Sequence, residues 1–219
     1  RLITVDLAEE SLPVPTLARF AKRPACAACG LAKRYYFDLM AHDHGFSVVA
    51  TGHNLDDEAA RLLGNTLRWH TNYLAKQLPV LEPNHPRFAR KVRPLFRITE
   101  YETAVYAFLR KIDYVVDECP NSVGATQLAY KDALNRLEAA MPGTKLSFVN
   151  EFLRSAQPIF SQADNSPPNS CGECGMPCFG EICSFCNLTA TVRHRQARAE
   201  QRASERAAGA EDGMVPSDE

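Results

Sequence analysis

The stretch Phe46-Ser47-Val48-Val49-Ala50-Thr51-Gly52-His53-Asn54-Leu55-Asp56-Asp57-Glu58-Ala59 reads as strand, turn and helix in succession. Phe46 to Thr51 is a short β-branched, apolar run, the signature of a buried strand. Gly52 ends it and permits close backbone approach. Asn54 is an N-cap residue, and the segment after it carries a helical pattern through Leu63. A helix that opens directly behind a strand offers free N–H groups to an anion. Asp56 and Asp57 could hold Mg²⁺ or orient a phosphate-bearing ligand. Equally, acids in a first turn complement the helix dipole with no ligand at all.

The same alternation extends on both sides. Arg1-Leu2-Ile3-Thr4-Val5 reads as a strand, and Gly30 to Asp43 has helical apolar spacing at Leu31, Tyr35, Leu39 and Met40. Val92 to Phe96 is a further strand. Thr99 and Glu102 form a capping box that opens a helix to about Lys111. Tyr114-Val115-Val116 is another strand, followed by helices over Val123–Met141 and Lys145–Ala156. Repeated βα units predict an α/β fold built on a parallel sheet. Residues 157–170, with Pro158, Pro167 and Pro168, read as a linker, and 171–190 as a small cysteine module. Residues 191–219 read as a solvated helix extension fading into disorder.

The chain has 219 residues, 45% of them hydrophobic and 23% charged, with a net charge of −1. One good core and a small second module fit that length. Nucleic-acid contact would have to come from a local patch such as Arg87, Arg90, Lys91, Arg93 and Arg97, a segment that reads as well as a solvated loop. No apolar run reaches membrane-spanning length, and a cytoplasmic protein is expected. The first residue is Arg1, in what looks like a strand already under way, so further sequence is expected upstream.

Eight cysteines are present. Cys171-x2-Cys174-x8-Cys183-x2-Cys186 is a pair of CxxC knuckles, each able to place two thiolates on one ion, and together they complete the closed four-thiolate shell that Zn²⁺ favours. So small a module would draw its folding energy from the metal. Cys178 lies between the knuckles at an offset that matches neither and reads as a bystander. Cys26-Ala27-Ala28-Cys29-Gly30 precedes a helix, where the dipole and free N–H groups stabilise thiolates. Cys119, in Asp117-Glu118-Cys119-Pro120, follows a predicted strand. Three thiolates from two loops suit a [4Fe–4S] cluster with one open iron; a redox CxxC with an unrelated Cys119, or a zinc site, fits the spacing as well.

Taken together, CAACG, TGHNLDDEA, Arg93-Pro94-Leu95, ECP and CxxC-x8-CxxC, in that order, resemble the PP-loop ATP pyrophosphatases of the TtuA branch of tRNA 2-thiouridine synthetases, over roughly residues 1–190. The resemblance implies a Rossmann-like PP-loop domain in residues 1–156 with a C-terminal zinc knuckle. It implies that Cys26, Cys29 and Cys119 hold a [4Fe–4S] cluster and that Cys171, Cys174, Cys183 and Cys186 hold Zn²⁺. Gly52, His53, Asp56 and Asp57 fall in its ATP and Mg²⁺ loop. Lys33 and Asp57 match its catalytic lysine and acid. The implied reaction is ATP-dependent adenylation of a uridine C2 oxygen on tRNA and its replacement by sulfur. The donor would be a thiocarboxylated ubiquitin-like carrier or sulfide, and a homodimer is compatible. The family's SGG-x-D-S phosphate loop and N-terminal zinc finger do not occur in the chain; they are expected upstream of Arg1, and this part alone is expected to be inactive. Two other readings stay open: a non-catalytic, zinc-containing RNA-binding relative, and a TtcA-like tRNA cytidine thiolase.

Overall fold

The computed structural model describes residues 2–9, 12–117, 119–122, 124–161 and 168–211. Its elements run in the order α1 (Val14–Ala21), α2 (Ala25–Asp43), β1 (Val48–Ala50), α3 (Leu55–Leu67), α4 (Thr71–Ala75), β2 (Val80–Leu81), β3 (Arg90–Val92) and α5 (Glu100–Leu109). There follow α6 (Thr126–Ala140), α7 (Thr144–Glu151), a π-helical turn over Phe152–Ala156, α8 (Gln157–Phe160), β4 (Asn169–Ser170), β5 (Pro177–Cys178) and α9 (Ser184–Glu211). The chain divides into two compact units, one comprising Arg1–Tyr36 with Asn169–Glu219 and the other Phe37–Pro168. No helix among the described residues is long and apolar enough to cross a membrane.

In the Phe37–Pro168 unit the strand order is β1-β3-β2, with β1 parallel to β3 and Val49 opposite Lys91. β2 runs antiparallel to β3, with Leu81 opposite Lys91. A purely parallel sheet was expected. The link from β2 to β3 is too short for a crossover, which takes a dozen residues or more, so the chain can only turn back on itself. Two expected strands carry no ladder. Residues 2–6 are irregular, and so are Tyr114–Val116, whose Val115 and Val116 are 85% and 78% exposed. β-branched content makes a strand only where a neighbouring strand supplies hydrogen bonds and a packed face.

α3 is the central helix of this unit. Leu55, Ala59, Ala60 and Leu62 recur at helical spacing and pack with Leu74, Leu134, Val149 and Phe152. Gly64 sits where α3 meets α6: a Cβ there would lie 2.7 Å from the Tyr130 ring. The stretch read as a linker begins instead with helix α8. Pro158 falls in its first turn, where a missing N–H costs nothing, and Gln157 Nε2 donates to the Ala75 carbonyl at 2.9 Å. Residues 162–167 of that stretch, and the expected disorder at 212–219, lie outside the described residues.

In the other unit, α1 packs on α9, and Leu12, Leu17, Ala28, Ala32, Phe185, Leu188 and Val192 form one core with Cys171 and Cys183. The cysteine module therefore shares its interior with the first 36 residues of the chain. Tyr35 stacks on Phe185 with ring centroids 4.1 Å apart.

The N-terminus of α3 is tied by a buried ion pair. Asp56 is 5% exposed; one carboxylate oxygen meets the Lys145 ammonium, and the other accepts from the Glu100 backbone N–H at 2.7 Å. Burial pushes the Asp56 carboxyl up, but Lys145 and the Glu100 N–H outweigh it and hold the group below the usual carboxylate range. A depressed folded-state pKa adds stability that is complete above the unfolded value near 4 and is lost as pH falls through the folded one. Urea unfolding should therefore show the midpoint falling on acidification below about pH 4, with a smaller fall in Asp56→Asn. Lys145→Met strands the carboxylate and should cost about 3–5 kcal/mol.

Candidate metal centre and nucleotide loop

β4 and β5 form a short hairpin that sets the first knuckle. The Cys171 N–H donates to the Met176 carbonyl at 2.9 Å and the Gly175 N–H to the Cys171 carbonyl at 2.8 Å, with Gly175 at φ 71°. The second knuckle runs into α9, which carries Cys186 on its first turn. Sγ atoms of Cys171, Cys174, Cys183 and Cys186 all lie within 4.8 Å of one another, and Cys174 and Cys183 are 3.8 Å apart. Four thiolates about 2.3 Å from a tetrahedral ion stand about 3.8 Å from each other, so the donor set fits.

The electrostatics agree. Burial pushes the Cys171 thiol up, but N–H donors from Cys183, Cys174 and Glu173 outweigh it and bring it down to about 6. The Cys183 N–H lies 3.2 Å from the Cys171 sulfur, and the Cys186 N–H lies 3.3 Å from that of Cys183. Burial, then the neighbouring thiols, push Cys186 far above its ordinary value. One thiolate forms readily, and each further one is opposed until a cation supplies countercharge. Cys178 is not in this group; its thiol donates to the Gly180 carbonyl at 3.0 Å.

At the loop that leads into α3, Asn54 and Asp57 close a capping box. The Asn54 side chain accepts from the Asp57 N–H at 3.0 Å, and the Asp57 carboxylate accepts from the Asn54 N–H at 3.2 Å. The other Asp57 oxygen pairs with Lys131 Nζ at 2.8 Å, and that ammonium also reaches Glu100 at 3.1 Å. Gln127 Nε2 donates to the Asp57 carbonyl at 3.2 Å. His53 is exposed, with Nδ1 2.8 Å from Thr51 Oγ1. A Cβ on Gly52 would meet nothing within 4 Å, so no packing inside the protein calls for glycine there.

Lys131, Lys145, Glu100 and Gln127 were not legible as parts of this loop. They arrive from α5, α6 and α7, and no local spacing marks them. The basic segment also changes character. Arg93 is mostly buried, bonded to Glu58 at 3.3 Å and to the Leu78 carbonyl, so it is no part of an exposed strip. Lys91 pairs with Asp38 at 2.8 Å and Arg90 with Glu82 at 2.9 Å. Of the five, only Arg87 and Arg97 have no acidic partner among the described residues.

Cys26 and Cys29 lie in the first turns of α2, Cys26 exposed and Cys29 half-buried, with exposed Lys33 four residues beyond Cys29. Cys119 is exposed in the Phe37–Pro168 unit, and its carbonyl accepts from the Ser122 hydroxyl at 2.7 Å. None of the three is in a disulfide.

No family model matches the chain. Among proteins of known function, it is 46% identical over 195 residues to the tRNA-5-methyluridine(54) 2-sulfurtransferase of Thermus thermophilus, covering 89% of this chain and 60% of the relative. It is 40% identical over 199 residues to the protein of that name from Thermotoga maritima, covering 90% of this chain and 64% of that one. Among solved structures it resembles the U34-tRNA thiolase NcsA of Methanococcus maripaludis, described with its [4Fe–4S] cluster. The TM-score is 0.61 and the identity 26%, over 74% of this chain and 51% of that one. The chain thus spans about 60% of the length of the curated relatives it matches. Its motif order, its four-thiol centre and these likenesses agree: the chain is similar to the TtuA-type tRNA 2-sulfurtransferases over most of its own length.

Proposed function

We propose that this chain is the nucleotide- and metal-binding part of an ATP-dependent tRNA 2-thiolation enzyme. ATP adenylates the C2 oxygen of a uridine and releases pyrophosphate; sulfur then bonds to C2 as AMP leaves. The observation that carries the reading is the 46% identity, over 89% of the chain, to a relative named for 2-thiolation of 5-methyluridine 54. The same observation favours position 54 as the target, since the likeness to a U34 thiolase stands at 26%.

Cys171, Cys174, Cys183 and Cys186 hold a structural Zn²⁺. A closed shell of four thiolates leaves no position for substrate, so its role is to fold the unit that carries α2. Cys26, Cys29 and Cys119 hold a [4Fe–4S] cluster, a reading supported by the cluster of the Methanococcus neighbour and compatible with the absence of any disulfide at the three cysteines. Bound through three protein thiolates, such a cluster supplies one open iron for sulfide. The start of α2 stabilises thiolates at Cys26 and Cys29. Lys33, one helical turn past Cys29, offers its ammonium to charge developing on the phosphate or on the uracil oxygen. Gly52 and His53 border the ATP, and open space beside Gly52 lets phosphate approach the backbone. Asp57 orients nucleotide or Mg²⁺ from the helix start, and Asp56 holds that start in place from below. The sulfur comes from a thiocarboxylated carrier protein or from sulfide.

Four outcomes are expected. Nucleosides from a deletion strain, read by mass spectrometry, should lack 5-methyl-2-thiouridine and keep wobble and cytidine thiolation; an unchanged 5-methyl-2-thiouridine peak defeats the proposal. Metal analysis should find zinc lost from Cys171→Ser and Cys186→Ser and retained in Cys178→Ser. Anaerobically reconstituted full-length enzyme should hold about four irons beyond zinc, lost in each of Cys26→Ser, Cys29→Ser and Cys119→Ser. Gly52→Ala should leave stability within about 0.5 kcal/mol, because its Cβ meets no protein atom, while calorimetry finds ATP binding at least about tenfold weaker.

A further inference from the structure

The last helix carries arginines that no acidic side chain pairs with among the described residues. α9 begins in the core of its unit, with Phe185, Leu188 and Val192 buried, and from Arg193 on it is largely exposed. Residues 193–206 hold five arginines against two glutamates and no apolar side chain larger than alanine. Arg195, Arg198, Arg202 and Arg206 follow one another at steps of three, four and four, which keeps them on a single face of an α-helix. Glu200 falls off that face; Glu205 borders it, and its carboxylate accepts from Gln201 at 2.9 Å. Arg195 is anchored by a 2.7 Å hydrogen bond to the Phe20 carbonyl. Arg198, Arg202 and Arg206 are exposed and take part in no ion pair or hydrogen bond among the described residues.

We infer that Arg198, Arg202 and Arg206 form a contact surface for the phosphate backbone of the tRNA substrate. The inference rests on the proposed function, because it takes tRNA as the ligand. Charge complementarity selects the occupant. A protein partner would need aromatic or aliphatic anchors at the centre of its interface, and this face has none. A polyanion needs only cations at regular spacing. The stripe from Arg198 to Arg206 is about 12 Å long at 1.5 Å per residue. It is fixed at one end by the buried first turns of α9 and by Arg195, so its position is set before RNA arrives. Such contacts position the RNA without reading its sequence.

The test is binding of unmodified tRNA to the zinc-loaded full-length protein, measured across a salt series. The triple variant Arg198→Gln, Arg202→Gln, Arg206→Gln keeps helix propensity, and zinc content and helicity should not change. Its affinity near 0.1 M salt should fall at least about tenfold, and the slope of log K against log salt should shrink by about 2 to 3, close to one per lost contact. The corresponding triple Lys variant keeps the charges and should bind within about threefold of the wild type. Unchanged affinity and slope in the Gln variant overturn the inference and leave the proposed function standing. So does a Lys variant as weak as the Gln variant, because point charges would then not be what acts. A wild-type protein that binds no tRNA overturns the proposed function and the inference together.

Discussion

A carboxylate held out of water must find a cation and a donor, and in the Phe37–Pro168 unit that carboxylate is Asp56. Its partners are the Lys145 ammonium at the start of α7 and the N–H of Glu100 at the start of α5. An unpaired charge at that depth would cost several kcal/mol, so these helices can close on α3 only in the arrangement that satisfies it. Lys145 is itself shared with Asn135 on α6, and the Lys145 N–H is accepted by Glu138 at 2.8 Å. The first turn of α3 is thereby tied to α5, α6 and α7, and Gly52 and His53 just ahead of it stand exposed on a braced base. What they can offer a ligand is the unfilled space beside Gly52.

The second unit meets the same demand with the opposite sign of remedy. Four thiols share a sphere too small for four bare thiolates, and burial, then the neighbouring thiols, raise the Cys186 pKa. A cation bound there would relieve this and would join the hairpin of β4 and β5 to the first turn of α9. Leu17, Ala28 and Val192 share one core with Cys171 and Cys183, so such a cation would act on the same core as hydrophobic burial.

Basic side chains divide along the same line between internal and external use. Arg93 and Lys145 are consumed by Glu58 and Asp56, and Lys131 by Asp57 and Glu100. Lys91 and Arg90 have acidic neighbours as well. With a net charge of −1 the chain has no general attraction for a polyanion, so the exposed arginines that no acid answers matter most. A regular run of them, Arg198, Arg202 and Arg206, stands on α9, in a stretch whose composition alone reads as plain solvated helix.

Local chemistry was legible in the residues themselves. The N-cap at Asn54, the capping box of Thr99 with Glu102, the strand ahead of Gly52 and the double CxxC knuckle are short-range patterns whose physics acts within a few residues. The sequence determined those, but not the burial of that strand, whose Val48 is 46% exposed. Strand pairing was not legible in the same way: Tyr114–Val116 has strand composition and no ladder, because a strand needs a neighbour that composition does not name. The partners of Asp56 and Asp57, which lie up to 89 residues away, and the burial of Arg93 behind Glu58 were decided only by the tertiary structure. Burial turns an ordinary charge into one that must be paired, and which charge is buried depends on how the helices close over it.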